Sequence, residues 1–160
     1  MEYCVVKIIF GGEKYAVWCF GEREELLTQG GRVALFSDTD SALSFGAKRG
    51  LSVDGRVRHT YDMDALERMC AEGELLMPDH QILKFWELFR DISLSVSAPF
   101  ASSGRSFILN DIYDKLCMTV YADLDSESLL LDDNEYELIA GVLSEGVRMF
   151  RQNSVTADLG

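Results

Sequence analysis

Nucleophilic chemistry in this chain would have to draw on His59 and His80, its two histidines, and on four cysteines, Cys4, Cys19, Cys70 and Cys117. A cysteine or serine nucleophile needs a base beside it. His59 adjoins Thr60 in a stretch that reads as loop, and His80 precedes the polar face of a helix, where solvated or capping roles are expected. The cysteines form no CxxC pair, and with the histidines their spacing does not make a zinc site. Neither GxxxxGK[ST] nor GxGxxG occurs, so Gly11-Gly12 and Gly30-Gly31 read as turns, not phosphate cradles. Asp123, Asp125 and Glu127 suggest a calcium loop. Counted from Asp123, however, Ser128 and Asn134 stand where an EF-hand needs Gly and Glu. Paired carboxylates serve glycoside hydrolysis only when held across a cleft, which spacing along one chain does not reveal. The expectation is a protein without catalytic residues, metal or cofactor.

Charge is more informative. Against 15 Lys and Arg stand 27 Asp and Glu, a formal net charge of −12. Phosphate backbones and anionic lipids are bound through Lys and Arg, so nucleic acid and membrane surfaces are disfavoured partners. From Lys115 to Arg148 no basic residue intervenes, while Asp123, Asp125, Glu127, Asp132, Asp133, Glu135, Glu137 and Glu145 all fall there. One reading is a solvated loop followed by acids that suit the positive end of a helix. The other is a negative patch that receives and steers a basic protein partner. On the second reading Asp123, Asp125, Glu127, Asp132 and Asp133 are the partner-binding candidates.

The elements that must position these residues follow from periodicity. In Pro78–Ile92 a helical wheel gathers Ile82, Leu83, Phe85, Trp86, Leu88, Phe89 and Ile92 over more than half the circumference. That predicts a buried central helix, with His80, Lys84, Glu87 and Asp91 on the narrow polar face. Arg90 points into the apolar arc, so it must snorkel or pair with a buried acid, Asp114 being one candidate. Tyr3–Phe10 and Tyr15–Phe20 read as strands joined by Gly11-Gly12. Cys4, Val6, Ile8 and Phe10 share an apolar face, and Lys7 marks the other face as partly wet. A two-residue turn would set Cys4 opposite Cys19, either as packed thiols, the expectation for a cytosolic chain, or as a disulfide.

Glu22–Gln29 reads as a short helix and Arg32–Phe36 as a third strand. A helix capped by Asp38, Thr39 or Asp40 buries Ala42, Leu43, Phe45 and Ala47 and ends at Gly50. Residues 51–58 are a ragged strand or a loop. Asp62 caps a helix carrying Met63, Leu66, Met69 and Cys70 that closes at Gly73. After a loop over 93–106, a short helix spans 107–117 with Ile108, Ile112 and Leu116 inward, and 118–122 is a strand or connector. The last helix, 133–151, places Ile139, Val142, Leu143, Gly146, Val147 and Phe150 on one face. A glycine there costs about 1 kcal/mol against alanine, which a close helix–helix contact would explain. The fold class is α+β: an N-terminal antiparallel sheet of about three strands packed on a mainly helical C-terminal half with a central buried helix. Residues 1–151 form one domain and 152–160 a mobile tail. Glu2 and Lys7 interrupt the first apolar run, which argues against a signal peptide and for a cytoplasmic protein.

Four segments, YDMDALERM (61–69), LKFWELFRDI (83–92), IYDKL (112–116) and ELIAGVLSEGVRMF (137–150), resemble in order and spacing the immunity proteins of bacterial contact-dependent growth inhibition and related polymorphic toxin systems. The resemblance implies a non-catalytic protein that binds the toxic C-terminal domain of a cognate effector, often a basic nuclease, and neutralises it in the cytoplasm. Interface residues vary among such proteins, so no contact residue carries over. The rival expectations are a small hydrolase using carboxylates or a Cys–His pair, which predicts a pocket with convergent polar groups, and a non-catalytic interaction adapter.

Overall fold

The computed structural model describes residues 2–21, 24–100, 107–121 and 131–159. The chain is α+β, with an N-terminal antiparallel sheet and a helical C-terminal half. Strands β1 (Glu2–Ile9) and β2 (Glu13–Phe20) form the hairpin. Ile9 pairs with Glu13, so the connection is three residues, Phe10, Gly11 and Gly12, not two. Both glycines take positive φ, 62° and 124°, which a side chain would resist. The extra residue slips the register by one and turns every side chain to the other face. Cys4 therefore opposes Trp18, and Cys19 opposes Tyr3. The two thiols face opposite sides of the sheet, both buried and neither in a disulfide, so the disulfide alternative is excluded.

Glu25–Leu26 (β3) and Thr28–Gln29 (β4) replace the helix expected over 22–29, and Arg32–Leu35 (β5) is the expected third strand. Leu26 pairs with Trp18 and Thr28 with Val33, so each half of the segment completes a different sheet. Long-range pairing overrides the local helical pattern there. Helix α1 (Thr39–Lys48) is capped by Asp38, whose carboxylate accepts from the Ser41 amide at 2.7 Å. It buries Ala42 and Phe45 but leaves Ala47 exposed.

The ambiguous stretch resolves into β6 (Val53–Asp62), paired parallel to β1 at the sheet edge. His59 thus lies on a strand, not in a loop. Helix α2 (Met63–Glu72) starts at Asp62, whose Oδ1 accepts from the Ala65 amide at 2.9 Å, and stops at Gly73 with φ 74°. Helix α3 (Asp79–Val96) buries all seven apolar residues of the predicted arc, and Asp91 with them. Helix α4 (Phe107–Tyr121) continues through residues expected to be extended, and Ile108 on it is exposed. Helix α5 (Asp133–Gln152) buries the predicted face.

Both sheet faces are covered. Cys4, Val6, Ile8 and Trp18 meet α2, α3 and α5 in the larger core. On the face expected to be partly wet, Val5 and Val17 pack with Ala34, Phe36, Ala42 and Phe45 of the β5–α1 segment. The tail is docked: β7 (Ser154–Thr156) pairs parallel with β5, and the Ala157 amide donates to the Leu35 carbonyl at 2.8 Å. No helix among the described residues is long and apolar enough to cross a membrane.

Candidate functional site

Of the five partner-binding candidates, Asp132 and Asp133 open α5, while Asp123, Asp125 and Glu127 lie outside the described residues. Leu131 is buried and anchors the start of the helix. Asp132 then forms a reciprocal capping box: its Oδ1 accepts from the Glu135 amide at 2.8 Å, and Glu135 Oε1 accepts from the Asp132 amide at 3.2 Å. Two amides that the helix leaves without partners are thereby satisfied. The local pattern D-x-x-E encodes this directly. Glu135 is also bound by Lys115 Nζ at 2.9 Å, and Lys115 reaches Asp111 at 3.5 Å. The bond from Lys115, followed by that from the Asp132 amide, holds the Glu135 carboxyl below the usual range. This chain of contacts fastens α5 to α4.

The other side of the same two turns borders a groove between α5 and the end of α2, about 680 Å³ in volume. Glu74, Asp133 and Glu137 line it, with Ala140 and Gly141 along α5, and no Lys or Arg is among its described lining residues. Tyr136 closes one end: its hydroxyl donates to Asp79 Oδ1 at 3.1 Å, tying α5 to the first residue of α3. Glu74, Asp133 and Glu137 are exposed. The start of α5 is therefore an acidic ridge, with Asp111 and Glu135 bridged by Lys115 on one flank and, on the other, a groove whose charged lining residues are all acids. Carboxylates so placed attract a cationic segment, and water-exposed ones do so mostly by steering its approach.

No family model matches the chain, and no curated protein matches it at a significant level. A solved structure, the crystal structure of the SatS C-terminal domain in complex with bromine, is similar with a TM-score of 0.54 at 15% identity. The alignment covers 97% of this chain and 94% of that one. The likeness is one of fold.

The remaining sequence candidates are placed as follows. Arg90 does not pair with Asp114, which is exposed. Its guanidinium lies 5.7 Å from the centre of the Tyr113 ring, donates to the Tyr113 hydroxyl at 2.9 Å, and approaches Asp91 at 3.7 Å and Glu24 at 3.6 Å. Asp91, assigned to the polar face by the helical wheel, is 2% exposed and accepts from Trp18 Nε1 at 3.0 Å. Burial pushes its carboxyl up to about 7, against the opposing pull of Arg90. The sequence carries no signal for this bond, because Trp18 lies on β2.

His59 and His80, treated separately above, meet in one cleft between β6 and the first turns of α3. No cysteine or serine is among its lining residues. Cys70 instead borders the acidic groove, where its Sγ donates to the Ala140 carbonyl at 3.7 Å. Burial, then Glu67, raises the Cys70 thiol, which favours the protonated, poorly nucleophilic form.

Proposed function

We propose that this chain is an immunity protein that binds a basic toxin domain, of nuclease type, and neutralises it in the cytoplasm. The observation that carries the reading is the groove beside the first turns of α5, walled by Glu74, Asp133 and Glu137 with no basic side chain among its described lining residues. An acidic face of this kind suits a Lys- and Arg-rich surface that evolved to hold phosphate. Occupying that surface denies it to the nucleic acid. The net charge of −12 extends the attraction beyond the contact itself, and the segments that resemble immunity proteins supply α2 and α5, the helices that line the groove, together with parts of α3 and α4.

The test is growth of cells that express the toxic C-terminal domain of the large protein encoded immediately upstream, with and without this chain. Rescue with a co-purifying complex is expected. The triple variant Glu74→Lys, Asp133→Lys, Glu137→Lys alters exposed side chains, so it should fold, and it should bind about tenfold or more weakly. Wild-type affinity in that variant would remove the groove from the interface. A toxic neighbour with neither rescue nor binding would overturn the immunity reading for that pair.

A further inference from the structure

The cleft that joins the two histidines has a chemistry unlike the rest of this acidic surface. It encloses about 360 Å³, within the range of small-molecule sites. Its apolar lining comes from Ile9 at the end of β1, Met69 on α2, Met77 ahead of α3, and Phe85 on α3. The remaining lining residues are mostly polar: His59, Thr60, Tyr61 and Asp62 from β6, with His80, Gln81 and Lys84 from α3. Lys84 has no carboxylate within ion-pair reach among the described residues, and neither histidine is hydrogen-bonded through its ring. Burial, then the charges of Lys84 and Arg58, push the His59 imidazole down. Asp62 lines the same cleft, and Glu24, Glu87 and Asp91 share an adjoining pocket with His59 and Lys84, yet none of these carboxylates closes to ion-pair distance of Lys84.

Pro78 begins α3 without a side-chain cap, but Asp79 supplies an acid to the first turn and the Gln81 amide donates to the Pro78 carbonyl at 3.0 Å, so the His59, His80 and Lys84 side chains carry the site, not the helix end. The Asp62 carboxylate is held by the Ala65 amide at the start of α2.

We propose that this cleft binds a small amphipathic monocarboxylate, its carboxylate received by Lys84, His80 and His59 and its apolar chain laid along Met69, Met77, Ile9 and Phe85. A purely inorganic anion would leave the methionines unused, and a neutral apolar molecule would make no use of the Lys84 ammonium. The site is separate from the acidic groove and does not rest on the toxin-binding reading.

The full chain would be titrated with octanoate at pH 6.5 while NMR follows the histidine ring protons and the methionine methyls. Octanol and octylamine serve as the neutral and cationic counterparts. Saturable shifts at His59, His80, Met69 and Met77 are expected with octanoate, about tenfold weaker binding of octanol, and none of octylamine. Lys84→Gln, an exposed substitution, should weaken octanoate by about tenfold and leave octanol unchanged; His80→Gln should weaken octanoate to a lesser degree. Octanoate shifts that do not saturate, or that centre elsewhere, would overturn the assignment. So would octanol binding as tightly as octanoate with no effect of Lys84→Gln, which would mark the cleft as merely greasy.

Discussion

Gly146 of α5 and Phe89 of α3 are in direct contact at the crossing of the two helices: a Cβ added at Gly146 would lie 2.1 Å from Phe89 Cδ2. No real Cβ sits that close, and both positions are wholly or nearly buried. The glycine thus gives up helix propensity to let the Phe89 ring reach the α5 backbone. Gly146→Ala should destabilise the protein by about 1–3 kcal/mol, because overpacking outweighs the gain of about 1 kcal/mol in propensity. Urea unfolding measures this. The second variant, Phe89→Leu with Gly146→Ala, should recover part of the loss; equal destabilisation in both would show that the contact is not the cause.

Asp91 sets a pH dependence of definite sign. Its carboxyl is pushed up to about 7 in the folded protein, whereas in the unfolded chain it titrates near ~3.9. The folded state therefore holds this proton where the unfolded state has lost it, so stability falls as pH rises from the unfolded value through the folded one. His59 is shifted down and opposes the trend near neutral pH, so the comparison must be with a variant. Asp91→Asn keeps an oxygen for Trp18 Nε1 and abolishes the titration. Relative to the wild type it should gain roughly 2 kcal/mol between pH 5 and pH 8. A constant difference across that range, read from urea midpoints, would mean that Asp91 is ionised throughout.

What could be read from the sequence was local. Asp38, Asp62 and Asp132 each accept a backbone amide three residues on, and the residue types alone announce such caps. The wheel of α3 holds because an 18-residue helix repeats its period several times. The failures share a long reach along the chain. β6 carries a run of four exposed residues, Gly55–Arg58, so its alternation is broken, and its strand identity comes from β1. Asp91 is buried by a partner 73 residues away. The two histidines come from a strand and a helix with α2 between them, so neither marks the cleft by itself. As for the acidic site, the sequence placed Asp132 and Asp133 at a helix start, but Glu74 joins them only through the packing of α2 on α5.

Asp132 was an interface candidate and is also a structural cap, and the two roles separate experimentally. Asp132→Ala removes the acceptor for the Glu135 amide and half of the capping box. It should cost about 1 kcal/mol of stability. Asp132→Asn preserves the acceptor while deleting the charge, so stability should stay close to wild type. If the Asn variant nevertheless binds a basic partner more weakly, the carboxylate contributes to recognition. If only the Ala variant does, through partial unfolding of the first turn, the residue serves the helix alone.

The C-terminal residues should be ordered by their pairing with β5. Val33, Ala34 and Leu35 align with Ser154, Val155 and Thr156, and the Gln29 side chain exchanges two hydrogen bonds with the Asp158 backbone, at 2.9 and 2.8 Å. Val33 and Leu35 are buried, and removing β7 would leave their strand with an open edge. The Ala157 amide, bonded to the Leu35 carbonyl at 2.8 Å, should therefore exchange with solvent far more slowly than a free tail amide. Deleting residues 154–160 should lower the unfolding midpoint and promote self-association through the exposed edge. Exchange of Ala157 at the unprotected rate, with no change in stability on deletion, would return the segment to the status of a loose tail.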